Sequence, residues 1–280
     1  MAEPSHAARV VAYYDQHPIN EEQILHGLAS KGLKLIQCSA DDLKALDQDN
    51  YGGAEATAVL AAKAGVRPSH QVLDVCAGLG GPARYLAHTF GCHVTGIDFT
   101  RSRVDAAQRL SQAIGLAERV RFQHGDAQEL PFAPASFDIV IGQEAWAHVP
   151  DKPRLIAECA RVLRPNGVIA FTDIVRREGL VDEDMDRLRE EMTFPNLQSM
   201  EGYAALLERN ACQVEFREDL SVWWSRLLVE RLQMYRSLQD ETTRKFGAER
   251  HAWWETSYAF FVDLYQLGRL GGARLVARRV

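Results

Sequence analysis

Cysteine is scarce in this 280-residue chain, and its five cysteines follow no metal-binding or disulfide spacing. They are widely separated and form no Cys-x-x-Cys pair, which argues against a zinc site and against a disulfide framework. No stretch of 18 consecutive apolar residues occurs, so no membrane-spanning helix is predicted. Residues 1–8 are polar and lack the apolar segment of a signal peptide. Together these absences predict a cytoplasmic protein with reduced thiols, no bound metal and no membrane partner.

The chain also lacks an excess of positive charge. Lys and Arg number 32 and Asp and Glu number 38, which gives a formal net charge of −6. Because a polyanion would be repelled, nucleic acid is not an expected partner, and Arg274, Arg278 and Arg279 are the only hint of a basic patch. The composition, 46% hydrophobic and 25% charged, is ordinary for a globular enzyme. We leave a homodimer open beside a monomer.

Apolar strands alternate with helices in the middle of the chain. Short amphipathic helices over about 10–30 and 38–49, the second with Ser39 as N-cap, precede a break at Gly52 and Gly53. Between residues 72 and 173 five apolar strands and their connecting helices follow one another. Fully apolar strands separated by helices are typical of a parallel sheet covered on both faces.

The pattern changes after Asp173. Two helices, a strand at 213–219, long helices over about 221–268 and a last strand at 273–277 are predicted. The fold is therefore predicted to be α/β: a doubly wound, mostly parallel, seven-stranded Rossmann-like sheet with N-terminal helices and a helical lid before the last strand. We divide the chain into an N-terminal cap (1–53), a core (54–175) and a lid region (176–280), and expect most substrate contacts within 176–272.

A glycine-rich turn between a strand and a helix is the first candidate site. Residues 74–80 read Asp-Val-Cys-Ala-Gly-Leu-Gly, and Asp98 ends the next strand. Glycines let the backbone approach a ligand, the helix N-terminus offers unpaired N–H groups, and an acidic residue at that position accepts hydrogen bonds from a ribose diol. Taken alone, the turn also fits a nicotinamide enzyme or a tight turn without a ligand.

Further motifs follow in register. Residues 125–132 read Gly-Asp-Ala-Gln-Glu-Leu-Pro-Phe, a strand at 137–140 leads to Gln143, and residues 163–168 read Leu-Arg-Pro-Asn-Gly-Val. Over about 70–175 the chain resembles the class I S-adenosylmethionine (SAM)-dependent methyltransferases, with Cys76 standing where that family usually has its first glycine. The resemblance implies SAM as cofactor, S-adenosylhomocysteine as product, and these cofactor-binding residues: Asp74, Gly78, Gly80, Asp98, Phe99, Asp126, Ala127 and Gln143.

The segment after the fourth strand carries the candidate catalytic groups. Glu144 and His148 lie four positions apart, a pattern similar to phosphoethanolamine methyltransferases and sugar O-methyltransferases, in which the His is a candidate general base. Histidine suits that role because its ordinary pKa lies near neutral. A His that packs on the cofactor is the alternative. Asp173, interpreted as an exposed carboxylate at the end of the fifth strand, is a candidate assistant or a structural residue.

Aromatic residues are the candidate substrate contacts. The run Asn50-Tyr51-Gly52-Gly53 and residues 78–87 look closest to the sarcosine/dimethylglycine and phosphoethanolamine N-methyltransferases. The substrate residues predicted are Tyr51, Trp146, Trp223 and Trp224. Tyr13 and Tyr14 are further candidates, and an aromatic wall for a cationic acceptor, made by Trp223, Trp224, Trp253, Trp254 and Tyr258, competes with a role for these rings in the core.

The predicted activity is methyl transfer from SAM to a nitrogen or oxygen of a small molecule, with an amine favoured. C-methylation of an isoprenoid or quinone ring, and a SAM-binding protein without catalysis, are the alternatives.

Overall fold

A seven-stranded sheet is the centre of the computed structural model, which describes residues 4–280. The strands lie in the order β3-β2-β1-β4-β5-β7-β6. Their bounds are β1 Gln71–Val75, β2 His93–Asp98, β3 Val120–His124, β4 Phe137–Gln143, β5 Leu163–Arg176, β6 Cys212–Asp219 and β7 Leu270–Arg279. Strands β1 to β5 pair in parallel, and β7 runs antiparallel between β5 and β6. The predicted mostly parallel, seven-stranded sheet is confirmed.

Twelve α-helices accompany these strands within residues 4–280. They are α1 His6–Asp15, α2 Glu21–Ser30, α3 Ala40–Lys44, α4 Gly53–Ala64, α5 Gly81–Phe90, α6 Arg101–Ala113, α7 Lys152–Val162, α8 Asp182–Glu191, α9 Met200–Arg209, α10 Ser221–Ser237, α11 Gln239–Phe246 and α12 Ala248–Gln266. Two 3₁₀ turns, Leu35–Gln37 and Trp146–His148, complete the set. No helix among these described residues combines the length and apolar character needed to cross a membrane.

Both faces of the sheet are covered because its central strands are apolar on both sides. Leu60 of α4 and Leu86 of α5 pack on one face, and Leu155 of α7 and Leu207 of α9 pack on the other. This is the arrangement that removes the backbone of parallel strands from water. It leaves the carboxyl ends of β1, β2 and β4 at one edge, where the connecting turns meet.

The predicted turn at residues 165–167 differs from expectation. These residues lie inside β5, which begins at Leu163 rather than at Val168. Asn166 adopts a left-handed φ of 64°, a conformation that asparagine tolerates better than most residues. A register shift between Phe137 and Ile139 in the pairing with β4 accommodates it. The sequence signal for a turn therefore marks an irregularity in a strand.

The N-terminal helices are capped as their sequences suggest and are held on the core by buried charge. Ser39 caps α3 through a reciprocal pair of hydrogen bonds with Asp42, which confirms the predicted N-cap. The Arg84 guanidinium of α5 forms an ion pair with Asp47, with Nη2 2.8 Å from Oδ2 and both side chains 2% exposed. Breaking such a buried pair leaves an uncompensated charge, so it fixes the segment after α3 against the start of α5. Of the predicted cap, residues 1–3 lie outside the described residues.

Candidate active site

A cavity of about 460 Å³ opens at the carboxyl ends of β1, β2 and β4. Its walls come from the glycine-rich turn, the N-terminal helices, the turn after β4 and the C-terminal helices. The cavity is lined by every residue assigned above to the cofactor: Asp74, Gly78, Gly80, Asp98, Phe99, Asp126, Ala127 and Gln143. Glu144, His148 and Tyr51 line the same cavity, so the candidate catalytic groups face the candidate cofactor site.

The two glycines of the turn serve different purposes. Gly78 has φ 54°, and a Cβ added there would meet no atom within 4 Å, so this position keeps the cavity open. Gly80 has φ 77°, and an added Cβ would lie 2.3 Å from the Phe122 ring of β3. Gly80 therefore allows α5 and β3 to pack closely. Asp98 joins the turn to β2, because its two oxygens accept hydrogen bonds from the Gly78 and Thr100 backbone N–H groups at 2.8 Å each.

Among the predicted cofactor residues, buried polar atoms without a hydrogen-bond partner fit an adenosyl ligand. Asp74 Oδ2 and Gln143 Nε2 are buried without a hydrogen-bond partner among the described residues. Burial and the nearby Asp98 raise the pKa of Asp74 to about 7. Buried polar groups are normally paired, so an acceptor and a donor left open in a cavity wall are suited to a bound polar molecule. An amino group and ribose hydroxyls of the cofactor are such partners.

Cys76 stands at the position where glycine was expected, and it keeps the glycine conformation. Its φ is 65°, in the left-handed region where a side chain costs roughly 1–2 kcal/mol. The thiol packs against the apolar cluster on one face of the sheet, and burial raises its pKa well above the usual range. Cysteine at this position therefore adopts a backbone conformation that glycine reaches without strain.

We expect glycine at this position to be tolerated and a β-branched residue to be harmful. Cys76→Gly should keep the free energy of unfolding within about 1 kcal/mol, because relief of strain offsets lost packing. Cys76→Val should lower it by about 2 kcal/mol or more, because β-branched residues rarely adopt positive φ. Denaturant unfolding of both variants measures this. Equal destabilisation by the two substitutions would contradict the assignment of left-handed strain to Cys76.

Glu144 is held in an unusual conformation at the cavity wall. Its φ is 54°. One carboxylate oxygen accepts a hydrogen bond from the Thr172 hydroxyl and the other from the Tyr51 backbone N–H, 2.7 Å away. Burial raises the pKa of Glu144 to about 7, although these two donors oppose the shift. Strained residues with displaced pKa values are frequent at functional sites, and Glu144 has both properties.

His148 has a partner on each ring nitrogen. Nε2 lies 2.8 Å from the Tyr14 hydroxyl, and Nδ1 lies 2.8 Å from the Thr193 hydroxyl. Burial lowers the pKa of His148 to about 3, with a smaller contribution from nearby Lys152, although the hydrogen bond with the Thr193 backbone opposes the shift. The imidazole is therefore uncharged at neutral pH, which is the form that accepts a proton.

Asp173 corrects one expectation. It was interpreted as an exposed strand-end carboxylate, but it is fully buried and does not line the cavity. Its oxygens accept hydrogen bonds from the Ala147 backbone N–H and the Tyr203 hydroxyl, and burial raises its pKa to about 6. Asp173 supports the turn that carries His148 from the interior of the protein. Its role is therefore structural, and it does not face the cavity.

The tryptophans predicted to contact substrate do not reach the cavity. Trp146 is fully buried between the Gly142 backbone and the Phe171 ring, and Trp224 is fully buried against Gly272. Trp223 is half-exposed, with its ring close to Gly52 on the outside of the cavity. The assignment of these three rings to substrate is corrected, because their large apolar areas are used in packing.

The other aromatic candidates divide between core and cavity. Trp254 is buried in the core and Trp253 packs against it partly buried, whereas Tyr13, Tyr14, Tyr51 and Tyr258 line the cavity. More residues of the wall come from the cap than from 176–272, the segment for which we predict most substrate contacts. Its contributions are Ser5, His6, Ala7, Val10, Tyr13, Tyr14, His17, Asp47, Asp49, Asn50 and Tyr51, against Met192, Phe194, Arg231, Tyr235 and Tyr258 from the C-terminal region.

Sequence reasoning missed a charged cluster in this wall. Asp49 pairs with Arg231 of α10 at 2.6 Å and with Arg103 of α6 at 3.3 Å. The Arg231 guanidinium also lies 5.1 Å from the centre of the Tyr51 ring. The only sequence signal was the position of Asp49 beside the Asn50-Tyr51 motif, because its two arginine partners lie far away along the chain.

Comparison with known proteins agrees with this geometry. A family model described as a methyltransferase domain matches residues 73–171. The 27-O-demethylrifamycin SV methyltransferase of Amycolatopsis mediterranei is 30% identical over 217 residues, which cover 76% of this chain and 79% of that protein. The chain belongs to the SAM-dependent methyltransferases.

Two further proteins resemble this methyltransferase. The glycine/sarcosine/dimethylglycine N-methyltransferase of Actinopolyspora halophila is 30% identical over 220 residues, covering 78% of this chain and 39% of that protein. The structure of phosphoethanolamine N-methyltransferase 2 of Haemonchus contortus, in complex with SAM, matches with a TM-score of 0.78 and 18% identity, over 99% of this chain and 60% of that chain. The latter likeness concerns the fold. The methyltransferase chain spans 39%, 62% and 55% of the lengths of the first curated relatives it matches.

Proposed function

We propose that this protein transfers the methyl group of SAM to a nitrogen or oxygen of a small molecule, with an amine favoured. The observation that carries the proposal is a single continuous cavity. The predicted cofactor residues, from Asp74 to Gln143, line one part of it, and Glu144 and His148 line the part beside them. A nucleophile seated next to those two side chains would lie close to the cofactor.

Bound SAM supplies an electrophilic methyl group on a sulfonium centre. The protein has to orient the acceptor, exclude water and take up one proton. Glu144 and His148 are the two candidate proton acceptors. The Tyr14 hydroxyl is hydrogen-bonded to His148 Nε2. A proton that leaves the methyl acceptor therefore reaches this nitrogen through the hydroxyl or after displacing it. Helix α1 closes over this part of the cavity, since His6 Nε2 lies 2.7 Å from the His148 carbonyl oxygen.

The charged cluster supports an acceptor that carries an acidic group. Arg231 donates through Nη2 to the carboxylate and backbone oxygens of Asp49, and its guanidinium lies near the Tyr235 and Tyr258 rings in the cavity wall. The Tyr258 hydroxyl is buried without a partner among the described residues. A guanidinium beside an unpaired hydroxyl suits a carboxylate or a phosphate. Relatives named for glycine, sarcosine and phosphoethanolamine act on amines of this kind.

One observation favours the C-methylation alternative. Val10, Ile174, Met192 and Phe194 form an apolar part of the wall. An isoprenoid chain or a quinone ring would bury apolar area there. We rank this second because the wall also presents Arg231 and the Tyr258 hydroxyl.

We propose a cytoplasmic setting without nucleic-acid partners, supported by five free cysteines and the net charge of −6.

The test is a methylation assay with labelled SAM and four acceptor classes: amino acids, phosphorylated amines, amines without an acidic group, and prenyl or quinone compounds. Arg231→Gln is expected to raise KM for acidic amines by roughly 10- to 100-fold, because a charge-assisted pair is lost. KM for SAM and for amines without the acidic group should change little. Arg236→Gln, on the same helix but paired at the surface with Glu255, is the control.

Turnover of prenyl or quinone compounds alone would favour C-methylation. S-adenosylhomocysteine binding without turnover of any acceptor class would point to a non-catalytic SAM-binding protein.

A further inference from the structure

The chain after α8 meets the turn that carries His148. The Thr193 hydroxyl lies 2.8 Å from His148 Nδ1, and the Thr193 carbonyl oxygen lies 3.4 Å from the same nitrogen. The next residue, Phe194, packs edge-on against the imidazole with ring centres 4.8 Å apart. The imidazole is thus enclosed on one side by two consecutive residues of a different segment.

Thr193 holds this place in a conformation that threonine rarely adopts. Its φ is 56°, although it is β-branched, and its side chain is 3% exposed. A β-branched residue in the left-handed region is strained, and such strain persists only where the surroundings enforce it. A glycine or asparagine would fit the backbone with less strain. What threonine adds is the hydroxyl on Nδ1.

A second set of contacts ties the two segments together. The buried Lys152 Nζ donates to the Ala147 and Val149 carbonyl oxygens on one side and to the backbone and side-chain oxygens of Asn196 on the other. The Asn196 amide in turn donates to the Pro150 carbonyl oxygen at 2.7 Å. Lys152 and Asn196 therefore fix the positions of Thr193 and His148 relative to each other, independently of the contact between these two residues.

We propose that Thr193 is a positioning residue that keeps His148 in the tautomer with the hydrogen on Nδ1, so that Nε2 is the nitrogen available to a proton. The carbonyl oxygen of Thr193 can only accept, and the hydroxyl can also accept, so a hydrogen on Nδ1 satisfies both. In the other tautomer the Nδ1 lone pair would face that carbonyl oxygen. The Nδ1–H tautomer leaves Nε2 to accept the hydrogen bond of the Tyr14 hydroxyl on the cavity side.

The inference rests on the proposed function in one respect, namely that His148 takes up the proton of the acceptor. As the acceptor's electron pair forms the bond to the methyl group, the bond between that methyl group and the SAM sulfur would break and leave neutral S-adenosylhomocysteine. The proton of the acceptor N–H or O–H group would reach Nε2 through the Tyr14 hydroxyl, which passes its own hydrogen on to Nε2, or after displacing that hydroxyl. The Nδ1–H group then faces two oxygens, which oppose the effect of burial on the positive imidazolium. This is the role of an orienting partner for a general base.

The experiment combines kinetics with ¹⁵N NMR of the His148 ring in the full-length protein. Thr193→Val removes the hydroxyl and keeps the branched shape, Thr193→Ala removes it with less strain, and Thr193→Ser keeps it. We expect the native protein to show a protonated Nδ1 and an unprotonated Nε2. In the Val and Ala variants only the longer contact with the Thr193 carbonyl oxygen, at 3.4 Å, still favours a hydrogen on Nδ1. We therefore expect kcat to fall by roughly 10-fold and the ring signals to shift towards a mixture of tautomers. KM for SAM should stay constant, and Ser should restore both kcat and the native signals.

A native His148 with its hydrogen on Nε2 would overturn the proposal, as would Val and Ala variants that keep both the native kcat and the native ring signals. The NMR result does not depend on turnover. If His148→Ala were fully active, the proposed role of His148 as a base would fail, while the tautomer measurement would still decide what Thr193 does.

Discussion

Replacing His148 with alanine is expected to lower kcat by roughly 10²–10⁴-fold, the usual contribution of a general base. Binding of S-adenosylhomocysteine should change little, because the cofactor residues belong to other turns of the same cavity. His148→Gln is the matched variant, since it keeps a polar group between Tyr14 and Thr193 but cannot take up a proton at neutral pH. Both variants should lose turnover to a similar extent. Turnover near the native value in either one would leave His148 as a packing residue.

The pH profile separates His148 from Glu144. Because the pKa of His148 is lowered to about 3, the imidazole is already unprotonated above pH 5 and gives no limb near neutral pH. The pKa of Glu144 is raised to about 7, so its carboxylate is lost as the pH falls through that value. If the ionised form is required, kcat/KM should fall below about pH 7, since this parameter reports the free enzyme.

In His148→Ala, kcat/KM should still fall below about pH 7, but from a lower maximal value. In Glu144→Gln this fall should be absent. The glutamine fits the site, because its oxygen can accept from the Tyr51 N–H while its amide donates to the Thr172 hydroxyl. An amine acceptor with its own pKa would give a limb that survives in both variants. A limb near pH 6.5 that disappears only in His148→Ala would contradict the assignment of the low pKa to His148.

Replacing Asp98 with alanine should weaken binding of S-adenosylhomocysteine by on the order of 1–3 kcal/mol, or about 5- to 150-fold, through two lost ribose hydrogen bonds. Each Asp98 oxygen accepts one backbone N–H but retains a further lone pair for a hydroxyl. Isothermal titration calorimetry with S-adenosylhomocysteine, and with NAD as competitor, measures the loss. NAD binding in the native protein without binding of the adenosyl ligand would refute the cofactor assignment.

A control is needed because Asp98 also holds the Gly78 turn. Asp98→Asn keeps one acceptor oxygen, so it should lose less affinity than Asp98→Ala if ribose contacts dominate. Equal losses accompanied by equal loss of stability would assign the effect to the turn.

The sequence predicted the parts of this site that are local. The strand that carries Asp74, the glycines at 78 and 80 and the acidic end of β2 form one continuous segment from Gln71 to Asp98, and its spacing determines its shape. The long-range part was not predictable. Asp49, Arg103 and Arg231 come from three distant segments and meet only through packing of the cap and α10 on the core. Thr193 gave no signal either, because its left-handed φ is imposed by neighbours and not by its own preference.

Asp173 and the tryptophans are residues that the sequence assigned to the site although they do not line the cavity. A carboxylate at the end of a strand and large rings beside a cleft suggest function on chemical grounds. Whether each faces the cavity or the interior depends on side-chain direction, and no periodicity specified that direction. Trp146 and Asp173 both point inward and support the turn that presents His148.

Two residues beside the cavity, Glu144 and Thr193, adopt left-handed backbone conformations without being glycine. If each costs on the order of 1 kcal/mol, their sum is a sizeable part of the 5–15 kcal/mol that ordinarily separates folded from unfolded protein. Selection for heat resistance alone would drive these positions towards glycine, asparagine or aspartate. Their retention would therefore mark a compromise in which thermal robustness is given up for chemistry, and a thermostable variant that keeps its activity should acquire its substitutions away from this cavity.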